Sequence, residues 1–292
     1  MSNNKNPIIG IVGGLGPQAG VDLASKIIDQ TLSSADQDHI SVILISMPSI
    51  VVDRTQFLLG NVDENPGIAI AEIVEILERC GADVVGIPCN TAHSSSIFDM
   101  IRQDIAIRHS SVKLLDMVAE TVNFVCQQYP NIKRAGVLST TGAIKAQIYP
   151  SALAIKGIQT ILPSKDVQEK VLHPAIVDKE YGIKSCSNPV SARAKKDLYE
   201  TAYKLVVDGA EIILSGCTGV SSTGVFGTGV SVAIDPRSLG TQIDDSIMQK
   251  NLSAKILLVD KNYILTVKTK VIDGRIFITG KVDDPEKKIR ID

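Results

Sequence analysis

The chain has 292 residues, 44% of them apolar, and a formal charge of −2. That is enough for one or two ordinary domains with a real core, and the absence of any long Lys/Arg run gives no footprint for nucleic acid or an anionic membrane. A glycine-interrupted N-terminus unlike a signal peptide, no apolar run of the ~18 residues that a span requires, and five cysteines, an odd count that argues against a disulfide framework, point to a cytoplasmic protein with reduced thiols that handles a small molecule.

In chain order, strand-like and helix-like segments alternate, the pattern of α/β folds with parallel sheets. Ile8 to Val12 is a strand ending in a glycine turn, and Pro17 suits the first turn of the next helix. Ile40 to Ser46 is a second strand, followed by a loop with Asp53-Arg54-Thr55. From Gly67 to Cys80, apolar residues at Ile70, Ile73, Val74 and Leu77 make a helical stripe that Gly81 stops. Strand Val84 to Ile87 delivers Cys89, with Asn90, Thr91 or Ser94 as caps for a following helix. Lys113 to Leu115 reads as a strand and Glu120 to Gln128 as a helix. The order then repeats: strand from Arg134 to Leu138, helix around Ile144 to Leu153, strand Thr160 to Leu162, helix Lys195 to Val207, strand Ile212 to Leu214. Ser231 to Asp235 reads as a last strand and Leu239 to Met248 as a returning helix. In the tail, runs at Ile264 to Ile272 and Arg275 to Val282 flank Asp273-Gly274, a hairpin signal. An isolated hairpin is marginal in water, so this one is expected to pack on the body or on another subunit.

Two segments match at half-chain distance. Gly81-Ala82-Asp83 leads through an apolar strand to Cys89, and Gly209-Ala210-Glu211 leads in the same way to Cys217, 128 positions later. The glycine turn after Gly10 has a counterpart after Gly136, offset by 126. This is the trace of a duplicated α/β unit. A cysteine at the carboxyl end of an inner strand stands where parallel sheets place their chemistry, and two facing halves would present Cys89 and Cys217 across one cleft. A position before a helix favours thiolate, and two opposed thiols suit proton removal from one face of a stereocentre and return to the other. That is racemisation without a cofactor. Cys80, Cys126 and Cys186 lack such a context and read as small buried hydrophobes.

Metal binding has little support, since neither thiol lies in a Cys/His cluster of zinc spacing. His93 reaches Cys89 at most indirectly, as a cap or polarising group. Gly14, Gly16 and Ala19 fit a dinucleotide fingerprint, but the next strand ends in Ser46 where a ribose-binding acid belongs; a loop with Gly14 that admits a substrate carboxylate to backbone N–H groups fits as well. Arg54 is either a solvated loop residue or, in a cleft, a bidentate carboxylate holder.

Gly10-Ile-Val-Gly-Gly-Leu-Gly-Pro17, Pro48 with Asp53-Arg54-Thr55, Pro88-Cys-Asn-Thr-Ala-His93, Tyr181-Gly-Ile-Lys184, Gly216-Cys-Thr218 and Asp235-Pro236 together resemble the aspartate/glutamate racemase family of cofactor-independent enzymes, nearest its aspartate racemase branch. The resemblance covers Ile8 to Met248. It implies two pseudo-symmetric Rossmann-like α/β domains with parallel sheets and a homodimer. It implies Cys89 and Cys217 as the acid/base thiols, Asn90, Thr91 and Thr218 on the α-carboxylate or amine, and Arg54 and Lys184 on the side-chain carboxylate. Gly219 departs from the glutamate that the aspartate branch carries after Gly-Cys-Thr, although hydantoin racemases have glycine there.

The expected organisation is a first domain of residues 1–115 with 225–250, a second of 116–224, and a hairpin extension of 251–292. The expected function is pyridoxal-independent racemisation of an acidic amino acid, foremost L-aspartate to D-aspartate, with no cofactor or metal. Two alternatives stand beside it: a racemase or lyase of another carboxylate that uses mainly one thiol, and a non-catalytic binder of acidic amino acids.

Overall fold

The computed structural model describes residues 7–187 and 189–216, and the backbone of two strands within 267–280. The elements run β1 (Ile9–Gly13), α1 (Pro17–Gln30), β2 (Val42–Ser46), α2 (Arg54–Leu58), α3 (Gly67–Arg79), β3 (Val84–Gly86), α4 (Ser95–Ile107), β4 (Lys113–Leu114), α5 (Met117–Gln128), β5 (Arg134–Ser139), α6 (Thr141–Lys145), α7 (Ile148–Ile155), β6 (Gln159–Ile161), α8 (Lys165–Val167), α9 (His173–Val177), α10 (Ala192–Val207), β7 (Ile212–Gly216), β8 (Val267–Ile272) and β9 (Arg275–Gly280). The fold is α/β with parallel sheets, ordered β2-β1-β3-β4 and β6-β5-β7.

The duplication is written into the packing. Gly10 pairs with Val85 in the first sheet and Gly136 with Ile213 in the second, the same register at offsets of 126 and 128. A Cβ on Gly10 would meet Ala82, Val85 and Leu77; on Gly136 it would meet Ala210, Ile213 and Leu205, the same three sites one repeat later. Both glycines exist because a helix crosses each central strand too closely for any side chain. Those helices, α3 and α10, also stop alike. Gly81 and Gly209 are left-handed, with φ of 95° and 102°, and Ala82 and Ala210 donate back to Leu77 and Leu205, the Schellman arrangement that satisfies a helix's last carbonyls. The stripe of α3 is buried as its period requires: Ile70, Ile73, Val74 and Leu77 have no exposure and pack on Val12, Val85 and Ile87.

Several boundaries differ from the sequence expectations, each for a local reason. Asp53 is a cap and not a loop residue, its carboxylate accepting the Gln56 N–H at the start of α2. The helix expected from Glu120 starts three residues earlier because Asp116 caps it through Ala119 N–H. The helix expected over Ile144 to Leu153 is two helices. Gln147 between them is left-handed, with φ of 54°, and Pro150 has no N–H to continue α6 and would collide with the carbonyl four residues back. Between β6 and α10 lies a helical stretch absent from the sequence reading, in which a π turn, Gln168–Leu172, joins α8 to α9.

Strands β8 and β9 pair antiparallel from Val267↔Gly280 to Ile272↔Arg275, as the alternation around Asp273-Gly274 predicts. They belong to a second compact unit, Ile234–Asp292, whose boundary with the first unit falls within the 225–250 segment. The strand expected at Ser231 to Asp235, the helix at Leu239 to Met248, and Gly219 lie outside the described residues. Among the described residues no helix is long and apolar enough to cross a membrane.

Candidate active site

The carboxyl ends of β1 and β3 open into two loops with different chemistry. After β1 the chain turns through Gly14, whose φ is 84° and whose Cβ, if present, would stand 2.9 Å from the backbone nitrogens of Met47 and Pro48. The glycine loop therefore lies directly on the segment that follows β2. Arg54, at the start of α2, donates from Nη2 to the Leu15 carbonyl at 2.8 Å and from Nη1 to the Val52 carbonyl at 3.3 Å. It is half-buried and braced against the glycine loop, which excludes the freely solvated reading. Its Nε is buried and has no partner among the described residues.

Cys89 is 4% exposed and stands just past β3. It precedes a single 3-10 turn, Asn90–His93, and not an α-helix; α4 begins only at Ser95. The helix N-terminus expected to act directly on the Cys89 thiol is thus one turn further along. The Cys89 carbonyl accepts two bonds, from Ala92 N–H at 3.1 Å and from His93 Nδ1 at 2.9 Å. The other ring nitrogen of His93, Nε2, accepts the Met117 N–H at 3.1 Å. These partners fix one tautomer, with the proton on Nδ1. Burial lowers the His93 pKa, only partly offset by the Cys89 carbonyl and the Asp116 charge, so the ring is neutral at pH 7. His93 is a brace for the thiol's turn, with Phe98 stacked on it at 4.6 Å between centroids and Arg102 over Phe98 at 4.4 Å.

Among the described residues, three of the contacts between the second half and the first bear on the site. Tyr149 in α7 donates its hydroxyl to Asn90 Oδ1 at 2.7 Å, both residues being buried. Gly142 in α6 lies so close to Thr55 that a Cβ would be 3.1 Å from its methyl and 3.3 Å from its Cα. Lys184 carries its charge to Asp53: partial burial pushes the Asp53 carboxyl up, but the Gln56 N–H and the charges of Lys184 and Arg54 outweigh this and hold it below the usual range. His173 shares the cluster. Burial lowers its pKa, the Lys184 charge lowers it further, and Asp53 acts in the opposite sense; its Nδ1 accepts the Thr141 N–H at 3.2 Å. Arg54 and Lys184, 130 positions apart, are therefore brought to one acidic residue from opposite halves.

At the end of β5, Ser139 Oγ donates to the Gly216 carbonyl at 2.6 Å, and Thr140 caps α6 through Ala143 N–H. Buried Gln168, at the head of the π turn, donates to the Ser139 carbonyl at 3.0 Å, while its Oε1 has no partner among the described residues. A π turn inside a helical segment is a recurrent mark of a functional site. Gly216 is the last residue described before Cys217 and Thr218, which lie outside the described residues. By the repeat, Gly216 matches Pro88, so the next position matches Cys89.

Gly14, Arg54, Asn90 and Thr91 thus converge on the first-half strand ends, with Lys184 near Asp53. Tyr149, Ser139, Gln168 and His173 were missed in the sequence reading. Ser139-Thr140-Thr141 was visible as the counterpart of the glycine turn, but its side-chain bonds have no signature in spacing. The three other thiols are less buried than expected: Cys80, at the end of α3, is exposed, and Cys126 and Cys186 are half-buried.

Two repeated parallel sheets whose loops meet around a buried thiol describe an α/β enzyme that works between matched halves. The family model of Asp/Glu/Hydantoin racemase matches residues 12–228, and the chain belongs to that family, an isomerase acting on amino acids. It is 30% identical over 220 residues to the broad specificity amino-acid racemase RacX of Bacillus subtilis (strain 168), covering 74% of this chain and 86% of the relative. Among solved structures it is similar to Picrophilus torridus aspartate racemase, with TM-score 0.59 and 26% identity over 73% of this chain and 82% of that one. It also shares the fold of an aspartate racemase homologue from Pyrococcus horikoshii OT3, with TM-score 0.53 and 19% identity over 74% and 87% of the two chains.

Proposed function

We propose that the chain racemises an acidic amino acid, foremost L-aspartate, without pyridoxal, using Cys89 and Cys217 as opposed acid and base. The observation that carries this reading is the repeated register: Gly10↔Val85 and Gly136↔Ile213 are equivalent pairs, which supports reading Cys217 as the sequence counterpart of Cys89. One thiolate takes the α-proton, and the other thiol protonates the opposite face. A thiolate is a weak base for such a proton, so donors around the α-carboxylate must stabilise the developing carbanion. Asn90, Thr91 and Thr218 take that role, together with the N–H groups of the loop at Gly14. Arg54 and Lys184 hold the side-chain carboxylate, a role supported by their convergence on Asp53. The same reading takes residues 1–115 and 116–224 as the two lobes, and the enzyme as a cytoplasmic homodimer.

A broader substrate range is the second reading, favoured by the 30% identity to a broad specificity racemase. Proton NMR in D2O with L-aspartate, followed by chiral chromatography, tests both. Loss of the α-proton signal with appearance of D-aspartate is expected, and Cys89→Ser and Cys217→Ser are each expected to lower the rate by at least about a hundredfold. Full activity in both variants would end the two-thiol mechanism. Faster exchange with neutral or basic amino acids than with aspartate would favour the broader range.

A further inference from the structure

We propose that Tyr149 is a positioning residue for the racemase reaction, holding the Asn90 amide from the opposite half so that its N–H2 faces the substrate's α-carboxylate. The inference rests on the reading of Asn90 as a substrate-binding residue. An asparagine side chain presents an acceptor at one end and two donors at the other, and unaided it can turn either end toward a ligand. A carboxylate needs the donor end. Tyr149 supplies the asymmetry, since its hydroxyl donates to Oδ1 at 2.7 Å and leaves Nδ2 as the end available to an anion. With 4% exposure for Asn90 and 3% for Tyr149, the bond is shielded from competing water, and an amide turned the other way would make the phenol the acceptor and aim Oδ1 at the anion.

The surroundings fit a positioning role. Asn90 directly follows Cys89 in a turn whose other end is braced by His93 Nδ1 and Ala92 N–H on the Cys89 carbonyl. Tyr149 lies in the first turn of α7, two residues after left-handed Gln147, so the break between α6 and α7 aims the phenol at the turn. The bond joins residues 59 apart and links the donor beside the first thiol to the second half of the molecule.

Tyr149→Phe keeps the ring and removes the hydroxyl. In the full-length protein, with L-aspartate and the best substrate found in the D2O assay, kcat is expected to fall about tenfold or more, with a smaller change in KM, because a misaligned donor is felt most where charge develops. Asn90→Ala is expected to cause a loss at least as large. Tyr149→Phe in the Asn90→Ala background is then expected to add no further loss, since the hydroxyl acts through the amide. Wild-type kinetics in Tyr149→Phe, or its full loss persisting beside Asn90→Ala, would overturn the proposal. If Tyr149→Phe does not fold, Asn90→Asp decides the matter. It keeps acceptor oxygens for Tyr149 and removes the N–H2, so a folded chain with at least about a tenfold lower kcat is expected, and an unchanged rate would overturn the proposal. A wild-type chain that exchanges no amino-acid α-proton would overturn the proposed function itself, whereas an active wild type beside an unaffected Tyr149→Phe overturns the inference alone.

Discussion

The β1–β3 half and the β5–β7 half share one frame and differ in the loops that it carries. Gly10 and Gly136 meet the same three neighbours, and α3 and α10 end in the same left-handed glycine. Beyond the strand ends the likeness stops. β1 runs into glycines laid against the Met47–Pro48 backbone, while β5 runs into hydroxyls, with Ser139 bonded to the Gly216 carbonyl and Thr140 capping α6. Duplication preserved what positions a residue at a strand end and left free what surrounds it. On the proposed two-thiol reading, the two faces of a bound amino acid would accordingly meet different donors.

The sharpest way to break the comparison is to fill the two glycine sites. Gly10→Val and Gly136→Val each place side-chain atoms where even a Cβ has neighbours at 3.0 Å and 2.7 Å, and overpacking of this kind costs about 1–3 kcal/mol or more. Both variants are expected to lose stability in chemical denaturation by similar amounts. A large loss in one half with none in the other would mean that the second frame yields and the match is only geometric.

Next in size is Ser139→Ala, which has no counterpart in the first half. It leaves the buried Gly216 carbonyl without its 2.6 Å donor, a change expected to cost about 1–3 kcal/mol. Because Gly216 directly precedes Cys217, the variant should also slow exchange more than its stability loss explains. Denaturation and D2O exchange measured on the same sample check this; unchanged exchange would remove Ser139 from the site.

His93 gives a pH-dependent prediction for the first half. Its folded pKa is lowered, chiefly by burial, so below the unfolded value of about 6.5 the unfolded chain binds a proton that the folded ring resists. The stability that this provides is fully present above about pH 6.5 and is lost as pH falls toward the folded pKa. His173, also lowered, acts in the same window from the second half. Melting temperature is expected to fall between about pH 6.5 and 5, with His93→Gln and His173→Gln each flattening the slope. An unchanged slope in both would show that the rings titrate alike in both states.

How much of this was legible in the sequence follows the same divide. Strand and helix order, the α3 stripe and the hairpin were readable because apolar period and Asp-Gly chemistry are local. The repeat was readable because its glycines and alanines are dictated by helix-to-strand approach, which tolerates no larger residue. Of the candidate site, Arg54, Asn90, Thr91 and Cys89 were named from motif and resemblance. Tyr149, Gln168 and His173 were not, because their roles come from hydrogen bonds across folds of the chain that leave no spacing. The break at Gln147 was missed although Pro150 announces it. The N-terminal start of α5 was missed because its cap, Asp116, precedes the apolar stripe.

The smallest expected effect tests the frame at a single methylene. Asp83 and Glu211 are counterparts, their backbone N–H groups donating to Ile8 and Arg134 respectively. Asp83 accepts the N–H of Ile8, whereas the longer Glu211 accepts that of Lys133, one residue further back than the repeat would place it. Each bond is 2.8 Å, so the extra methylene carries the hold to Lys133 at the same closeness, while the other Glu211 oxygen still takes Arg134 Nε at 3.4 Å. The Glu211 carboxyl is held below its ordinary range, first by the Lys133 N–H. Glu211→Asp is expected to lose that bond at a cost of about 0.5–1 kcal/mol, a fall of roughly 1–4 °C in melting temperature. A group with a depressed folded pKa stabilises above its unfolded value, near 4.3, and loses that contribution as pH falls through the folded pKa. The gap between wild type and variant should therefore close in acid below about pH 4. A gap that persists there would assign the effect to packing of the methylene, and equal melting at neutral pH would mean that the shorter carboxylate simply adopts the Asp83 arrangement on Arg134.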